Sequence, residues 1–173
     1  MKPIVILSGP VGAGKTTVAK ELVDISPPPV VYIEGDKFWR FIAKGGEKQG
    51  HVKNFRTIMV SMMAAALPYA RAGYEVIVDF SIPPWFLDIA TAIVKVRDIP
   101  LDYVIIKPSL GVCAARAAAR AEGTINDYTA YGELYADFEG FEQYTISDDE
   151  NDVKSIARRV RKELDAGRFH VTQ

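Results

Sequence analysis

The chain has 173 residues, a formal net charge of -1, 49% apolar and 25% charged residues, and a single cysteine, Cys113. Such a length suits one domain that buries roughly 70% of its unfolded surface, and one cysteine excludes an intrachain disulfide framework. The near-zero charge supplies no global field for nucleic acid, and no apolar run approaches the ~20 residues of a membrane span.

The opening "MKPIVILSGP" has one lysine and an apolar run too short for a secretory core, so the expected compartment is the cytoplasm. Apolar runs suited to buried strands then alternate with helical patterns, as in a parallel sheet covered on both faces. Five strands are expected: "PIVILS" at 3–8, "VVYI" at 30–33, "EVIVDF" at 75–80, "DYVIIK" at 102–107 and "YTI" at 144–146.

Directly behind the first run lies "GPVGAGKTT", residues 9–17. Gly9, Gly14, Lys15 and Thr16 fit G-x-x-x-x-G-K-[ST], with a strand before and a helix after. Such glycines let backbone N–H groups converge on phosphate oxygens at the positive end of a helix. Gly9, Pro10, Val11, Gly12, Ala13, Gly14, Lys15, Thr16 and Thr17 are therefore the expected nucleotide cradle. Lys15 is placed to reach the outer phosphates and Thr16 to offer its hydroxyl to Mg2+. Val18, Leu22 and Ile25 give the apolar stripe of the helix that follows.

Asp36, in "YIEGDKFW", stands just past the second strand, where ligands bind in open α/β sheets. Its carboxylate suits a general base or a hydroxyl-orienting group; Glu34 is the nearby alternative, and a turn aspartate beside Gly35 is the structural one. The segment "AKGGEKQGHVK", residues 43–53, reads as a mobile loop in which Lys44, Lys48, His51 and Lys53 could attract an anionic acceptor or simply be solvated. Phe55, Ile58, Met59, Met62, Met63 and Ala66 mark a core-facing helix expected to kink or end near Pro68 and to stop before Gly73.

Asp79 ends the third strand, where a carboxylate can order magnesium through water, contact substrate, or merely cap the strand. Pro83 and Pro84 lead into a helix marked by Trp85, Phe86, Ile89, Ala90, Ile93 and Val94. Phe38, Trp39, Phe41, Phe80, Trp85 and Phe86 are either core or the wall of an acceptor pocket.

The run "GVCAARAAARAEG" predicts a helix capped by Ser109 and leaving at Gly123, with Arg116 and Arg120 four apart on one face. Tyr128, Tyr131, Leu134, Tyr135 and Phe138 continue on a second helical face, and Ser147 with Glu150 fits a capping box for a closing helix through Val153, Ile156, Val160 and Leu164. His51 and His170 are too isolated to suggest a metal site.

With the phosphate loop as its most specific motif, the chain resembles the small P-loop kinases related to gluconate kinase, shikimate kinase and chloramphenicol phosphotransferase, a group often labelled only as AAA-family ATPases. The resemblance spans nearly the whole chain in layout. It implies an α/β three-layer sandwich, a five-stranded parallel sheet of order 2-3-1-4-5 with helices on both faces, and a single domain over 1–173 with a short lid at about 116–130. It also implies ATP and Mg2+ as cofactors, with a small-molecule hydroxyl acceptor such as a sugar acid, sugar or antibiotic. In that frame Lys15, Asp36, Arg116 and Arg120 are the expected catalytic residues, and Thr16 and Asp79 the magnesium pair. "FSIPP" after Asp79 departs from the chloramphenicol phosphotransferases, which carry a second acid there, and from the glycine triplet of shikimate kinases. The alternatives are a nucleotide-binding ATPase or switch, and a nucleoside, nucleotide or polynucleotide kinase. No nucleic acid or membrane partner is expected, and the assembly is a monomer or a homodimer.

Overall fold

The computed structural model describes residues 2–121, 123–147, 149 and 152–172. Five strands, β1 (Ile4–Ser8), β2 (Val30–Glu34), β3 (Glu75–Asp79), β4 (Leu101–Ile106) and β5 (Thr145–Ile146), form a sheet of order β2-β3-β1-β4-β5. Every neighbouring pair is parallel. The three central strands are buried along their whole length, which is why they read as unbroken apolar runs rather than alternating ones.

Alternation reappears in which face each side chain meets. Ile4, Ile6, Val76 and Val78 point into one core with helices α3 (His51–Arg71) and α4 (Leu87–Lys95). Val5, Leu7, Ile77 and Val104 point into the other, with α1 (Lys15–Ile25), α5 (Leu110–Ala118) and α7 (Val153–Asp165). Met59, Met62 and Met63 are fully buried in the first core and Cys113 in the second. Two short helices, α2 (Gly46–Gln49) and α6 (Gly132–Ala136), complete the set.

Several elements depart from the sequence expectation. Residues 43–53 are not a continuous loop: α2 lies within them and α3 already starts at His51, tied by the Asn54 amide donating to the Gly46 carbonyl at 2.7 Å. Helix α3 stops before Gly73 as expected, but its end is Arg71, three residues past Pro68, which lies inside the last turn. Proline costs that helix one hydrogen bond, but Ala66 and Ala70 on either side of it are fully buried, and their burial holds the last turn.

Helix α5 stops at Ala118, well before Gly123, because the Ile125 amide takes over the Ala117 carbonyl at 3.1 Å and closes a turn there. The Ser109 side chain makes no capping bond to α5. The expected capping box does not start α7 either. Glu150 lies outside the described residues, and the cap is Asp152, whose carboxylate accepts from the Lys154 and Ser155 amides at 3.3 Å each. Tyr128 to Phe138 is not one helix but a 3-10 turn, Thr129–Tyr131, followed by the single short α6.

The segment after α7 covers an edge that β5 leaves bare. Since β5 pairs only with Ile105 and Ile106, residues 169–171 run antiparallel beside the start of β4, with Tyr103 N–H to Phe169 O and Val171 N–H to Leu101 O both at 2.9 Å. Helix α7 itself is tied to the sheet by Arg161, in its C-terminal half, which donates to the buried Glu75 carboxylate at 2.6 Å and to Asp165 at 2.7 Å. Removing one member of a buried pair strands the other charge. Arg161→Ala, which leaves the buried Glu75 carboxylate without its partner, is therefore expected to cost about 3 kcal/mol of unfolding free energy, read from the shift in urea midpoint. A midpoint within error of the parent would show that the pair carries no net stability.

Candidate active site

The parallel register brings the carboxyl ends of three strands level: Leu7 lies opposite Asp79, and Glu34 opposite Asp79 on the other side. Ligands collect at such ends because the connecting loops leave a crevice there. A cleft of about 1230 Å³ opens over them, lined by the phosphate loop, Asp36, Asp79, the stretch after β3, and Arg116 and Arg120.

The loop after β1 turns on Gly9, Gly12 and Gly14, all with positive φ. Gly12, at φ 81, also has no room for a side chain: a Cβ there would collide with the Cys113 carbonyl of α5. The loop therefore packs backbone to backbone on the helix that carries Arg116. Lys15 opens α1 and donates to the Pro10 carbonyl at 2.9 Å, arching over the loop. Burial lowers its pKa to about 8, opposed by the carboxylates of Asp79 and Asp36 and assisted by the Arg120 guanidinium.

Asp79 is 3% exposed. Burial pushes its carboxyl above the usual range, while a hydrogen bond from Thr16, the Lys15 charge and a hydrogen bond from Tyr32 pull the other way. The Tyr32 hydroxyl donates to Asp79 Oδ2 at 3.0 Å, and its own pKa is raised, chiefly by burial and then by that carboxylate. Sequence reading missed Tyr32. It sits mid-strand in an apolar run, and only the β2–β3 pairing, which sets Tyr32 opposite Ile77, brings its hydroxyl to Asp79.

Asp36 lies exposed in a 3-10 turn, Gly35–Phe41, on the cleft wall. Gly35 is buried hard against α3 and β3: a Cβ there would lie 2.6 Å from Met62 Sδ and from the Phe80 side chain. The absent side chain sets where Asp36 can stand. Glu34 lines the cleft too, but is paired with Lys37 at 2.9 Å.

Arg116 and Arg120 both line the cleft, though not from one helical face, since Arg120 lies beyond the end of α5. Arg116 Nη1 approaches the Ala13 carbonyl at 3.5 Å. Tyr128, further along the same segment, donates to the Val11 carbonyl at 2.6 Å, so this segment is latched onto the phosphate loop from above. Nothing in the sequence pattern marked Tyr128 for that contact.

The aromatic set divides. Trp39, Phe80 and Trp85 line the cleft, whereas Phe86 is fully buried, Phe41 is 75% exposed away from the lining, and Phe38 packs against the core and Phe41. Phe55, expected as core, also reaches the cleft. His51 stacks on Trp39 at 5.3 Å and on Phe55 at 6.2 Å, and Phe55 continues to Phe80 at 5.4 Å, making one aromatic wall. Of the four basic residues considered as anion attractors, only His51 faces the cleft; Lys44, Lys48 and Lys53 do not, and Lys53 is bonded to Gln49.

Gly12→Ala is expected to lower stability by more than about 1 kcal/mol, because both its φ and its contact exclude a side chain. Thermal unfolding checks this, and an unchanged midpoint would contradict the backbone packing described.

Residues 4–131 match the model of a family described as AAA domain. No curated protein matches the chain in sequence. Among solved structures, a sugar kinase from Janibacter sp. HTCC2649 superposes with a TM-score of 0.67 at 20% identity, covering 100% of both chains. The Mycobacterium tuberculosis APS kinase CysC, in complex with AMPPNP and APS, gives a TM-score of 0.67 at 16% identity over 95% of this chain and 98% of that one. A shikimate kinase from Acinetobacter baumannii, in complex with shikimate, gives 0.65 at 17% identity over 96% and 95%. At such identities the likeness is one of fold. With its phosphate loop, its 2-3-1-4-5 sheet and a family match over most of its length, the chain belongs to the AAA domain family and has the fold of the small P-loop kinases.

Proposed function

We propose that the protein is an ATP-dependent phosphotransferase that phosphorylates a hydroxyl of a small molecule. The observation that carries this reading is the shape and lining of one cleft: beyond the phosphate loop it extends past Asp36 to the aromatic wall, about 1230 Å³ in all. A single drug-sized ligand commonly occupies roughly 300–1,000 Å³, so the cleft has volume for a nucleotide and a second molecule. The kinases that share the fold support it, and AMPPNP in one of them supports ATP as donor.

In this reading the acceptor oxygen bonds to the γ-phosphorus as the bond to the β,γ-bridging oxygen breaks, and ADP leaves with that electron pair. Asp36 orients the hydroxyl and takes its proton. Lys15, Arg116 and Arg120 hold the phosphate charge, and the latched segment excludes water. Thr16 and Asp79 would hold a magnesium ion: both offer hard oxygen donors, both line the cleft, and Asp79 is a buried carboxylate whose pKa burial raises. Among the described residues no group of three or more His, Cys, Asp or Glu could hold a metal; the ion's remaining ligands would come from phosphate and water. When bound, such an ion neutralises charge on the phosphates.

Two measurements test the reading. In a screen of sugars, sugar acids, nucleosides and hydroxylated antibiotics, acceptor-dependent ADP release is expected for at least one class. With that acceptor, Asp36→Asn should lower turnover by about a hundredfold or more while retaining ATP affinity. Steady ATP hydrolysis without transfer to any acceptor would instead favour a nucleotide-driven switch.

The second is the pH dependence of nucleotide binding. Free Lys15 has a pKa lowered to about 8 by burial, and bound phosphate favours its protonated form. Affinity is therefore full below that pKa and lost as pH rises through it, by about tenfold per unit until the higher pKa of the complex is reached. Calorimetry with a non-hydrolysable ATP analogue should record this decline in the parent and a weak, flat profile in Lys15→Ala. A flat profile in the parent would remove Lys15 from phosphate binding.

A further inference from the structure

The residues on either side of the Val11–Gly12 peptide do not by themselves decide which way it faces. Gly12 stands at φ 81, and glycine adopts positive and negative φ about equally well, so residue 12 does not prevent that peptide from turning end over end. A bulkier residue cannot supply the restraint, because a Cβ at this position would collide with the Cys113 carbonyl of α5. The loop needs a lock from outside itself.

Tyr128 supplies one. Its hydroxyl donates to the Val11 carbonyl at 2.6 Å, from 117 positions further along the chain. The ring packs on the core cluster shared by α1, α5 and α7, and Tyr128 is not among the residues that line the cleft. The Val11 carbonyl is thus held on the side of the loop away from the cleft. The peptide is trans, and in a planar trans peptide the C=O and the N–H point in opposite directions. The Gly12 N–H is therefore turned toward the cleft, which Gly12 lines.

Other carbonyls of the loop also have partners. The Pro10 carbonyl accepts from Lys15 Nζ at 2.9 Å and from the Ala13 amide at 3.3 Å, and the Ala13 carbonyl is approached by Arg116 Nη1 at 3.5 Å. Lys15 and Arg116 are cleft-lining cations, and a bound phosphate competes for both. Tyr128 is neutral and stands behind the loop, so its bond persists when the cradle is filled.

Resting on the reading of the protein as a kinase with its nucleotide in this loop, we propose that Tyr128 is a positioning residue: by holding the Val11 carbonyl it aims the Gly12 N–H at a phosphate oxygen of the nucleotide. The segment after α5 then does more than exclude water. It presets a donor of the loop before nucleotide arrives, which removes part of the reorganisation that binding otherwise requires.

Tyr128→Phe removes the hydroxyl and keeps the ring. The comparison variant is Tyr135→Phe, since Tyr135 on α6 anchors the same segment by donating at 2.9 Å to the Pro108 carbonyl and not to the phosphate loop. A role confined to anchoring the segment would appear alike in both. Calorimetry with a non-hydrolysable ATP analogue should find binding to Tyr128→Phe weakened about three- to tenfold, the scale of one neutral hydrogen bond, and binding to Tyr135→Phe unchanged. In amide NMR spectra of the full chain, the Gly12 N–H should move downfield when the analogue saturates the parent or Tyr135→Phe, and by less in Tyr128→Phe. Parental affinity in Tyr128→Phe, an equal loss in Tyr135→Phe, or a Gly12 N–H that does not respond in the parent would each overturn the inference, and the last needs no variant.

Neither measurement depends on turnover, which keeps the two readings apart. Weakened analogue binding in Tyr128→Phe with no transfer to any acceptor would sink the kinase reading and keep the role of Tyr128. Acceptor-dependent transfer with parental affinity in Tyr128→Phe would do the reverse.

Discussion

Everything at the candidate site depends on the parallel alignment of β2, β3, β1 and β4. Parallel strands end together, so Glu34, Asp79 and Leu7 lie in one row and Ser8 stands opposite Ile105. The phosphate loop after β1, the Asp36 turn after β2 and the stretch after β3 are thereby delivered to one edge. That stretch is then pinned by its own bonds. Ser8 Oγ donates to the Ile82 carbonyl at 2.7 Å and accepts from the Ile82 amide at 2.8 Å, and the buried Tyr103 hydroxyl donates to the same carbonyl. A buried hydroxyl left unpaired would cost about 1–3 kcal/mol, so the bonds of Ser8 and Tyr103 pin the "FSIPP" segment at Ile82.

The same edge concentrates charge where water is scarce. Lys15 loses proton affinity through burial and Asp79 gains it, so both groups stand in a state that a bound phosphate or cation would relieve. Shifts of this kind accord with the phosphate and magnesium roles proposed for these two residues. The contrast with Arg161 and Glu75 is instructive: there the guanidinium has two carboxylate partners and its pKa is raised by them, despite the opposing effect of burial. Arg161 and Glu75 tie α7 to the sheet, whereas Lys15 and Asp79 line the cleft.

Elements whose residues answer to local rules were legible in the sequence. The unbroken apolar runs located all five strands within a residue or two, since burial on both faces demands that composition, and the glycine and Lys-Thr spacing of residues 9–17 located the loop. Ends of elements were less legible, because competing partners decide them. Helix α5 stops short when Ile125 captures the Ala117 carbonyl, and α7 begins at Asp152 because that carboxylate reaches two free amides. The polar, glycine-rich look of residues 43–53 likewise concealed α2, and with it the placement of His51 between two aromatic rings.

The sequence by itself determined the five strands, the glycine-rich loop behind the first, and the positions of Asp36 and Asp79 just past or at strand ends, each from spacing along the chain. The sheet order was only what the resemblance to the small P-loop kinases implied. Tertiary structure alone decided that Tyr32 bonds Asp79, that Tyr128 latches onto Val11, and that only three of six candidate aromatics line the cleft. These are contacts between residues dozens of positions apart. They arise from strand register and helix docking, which the local pattern constrains but does not specify.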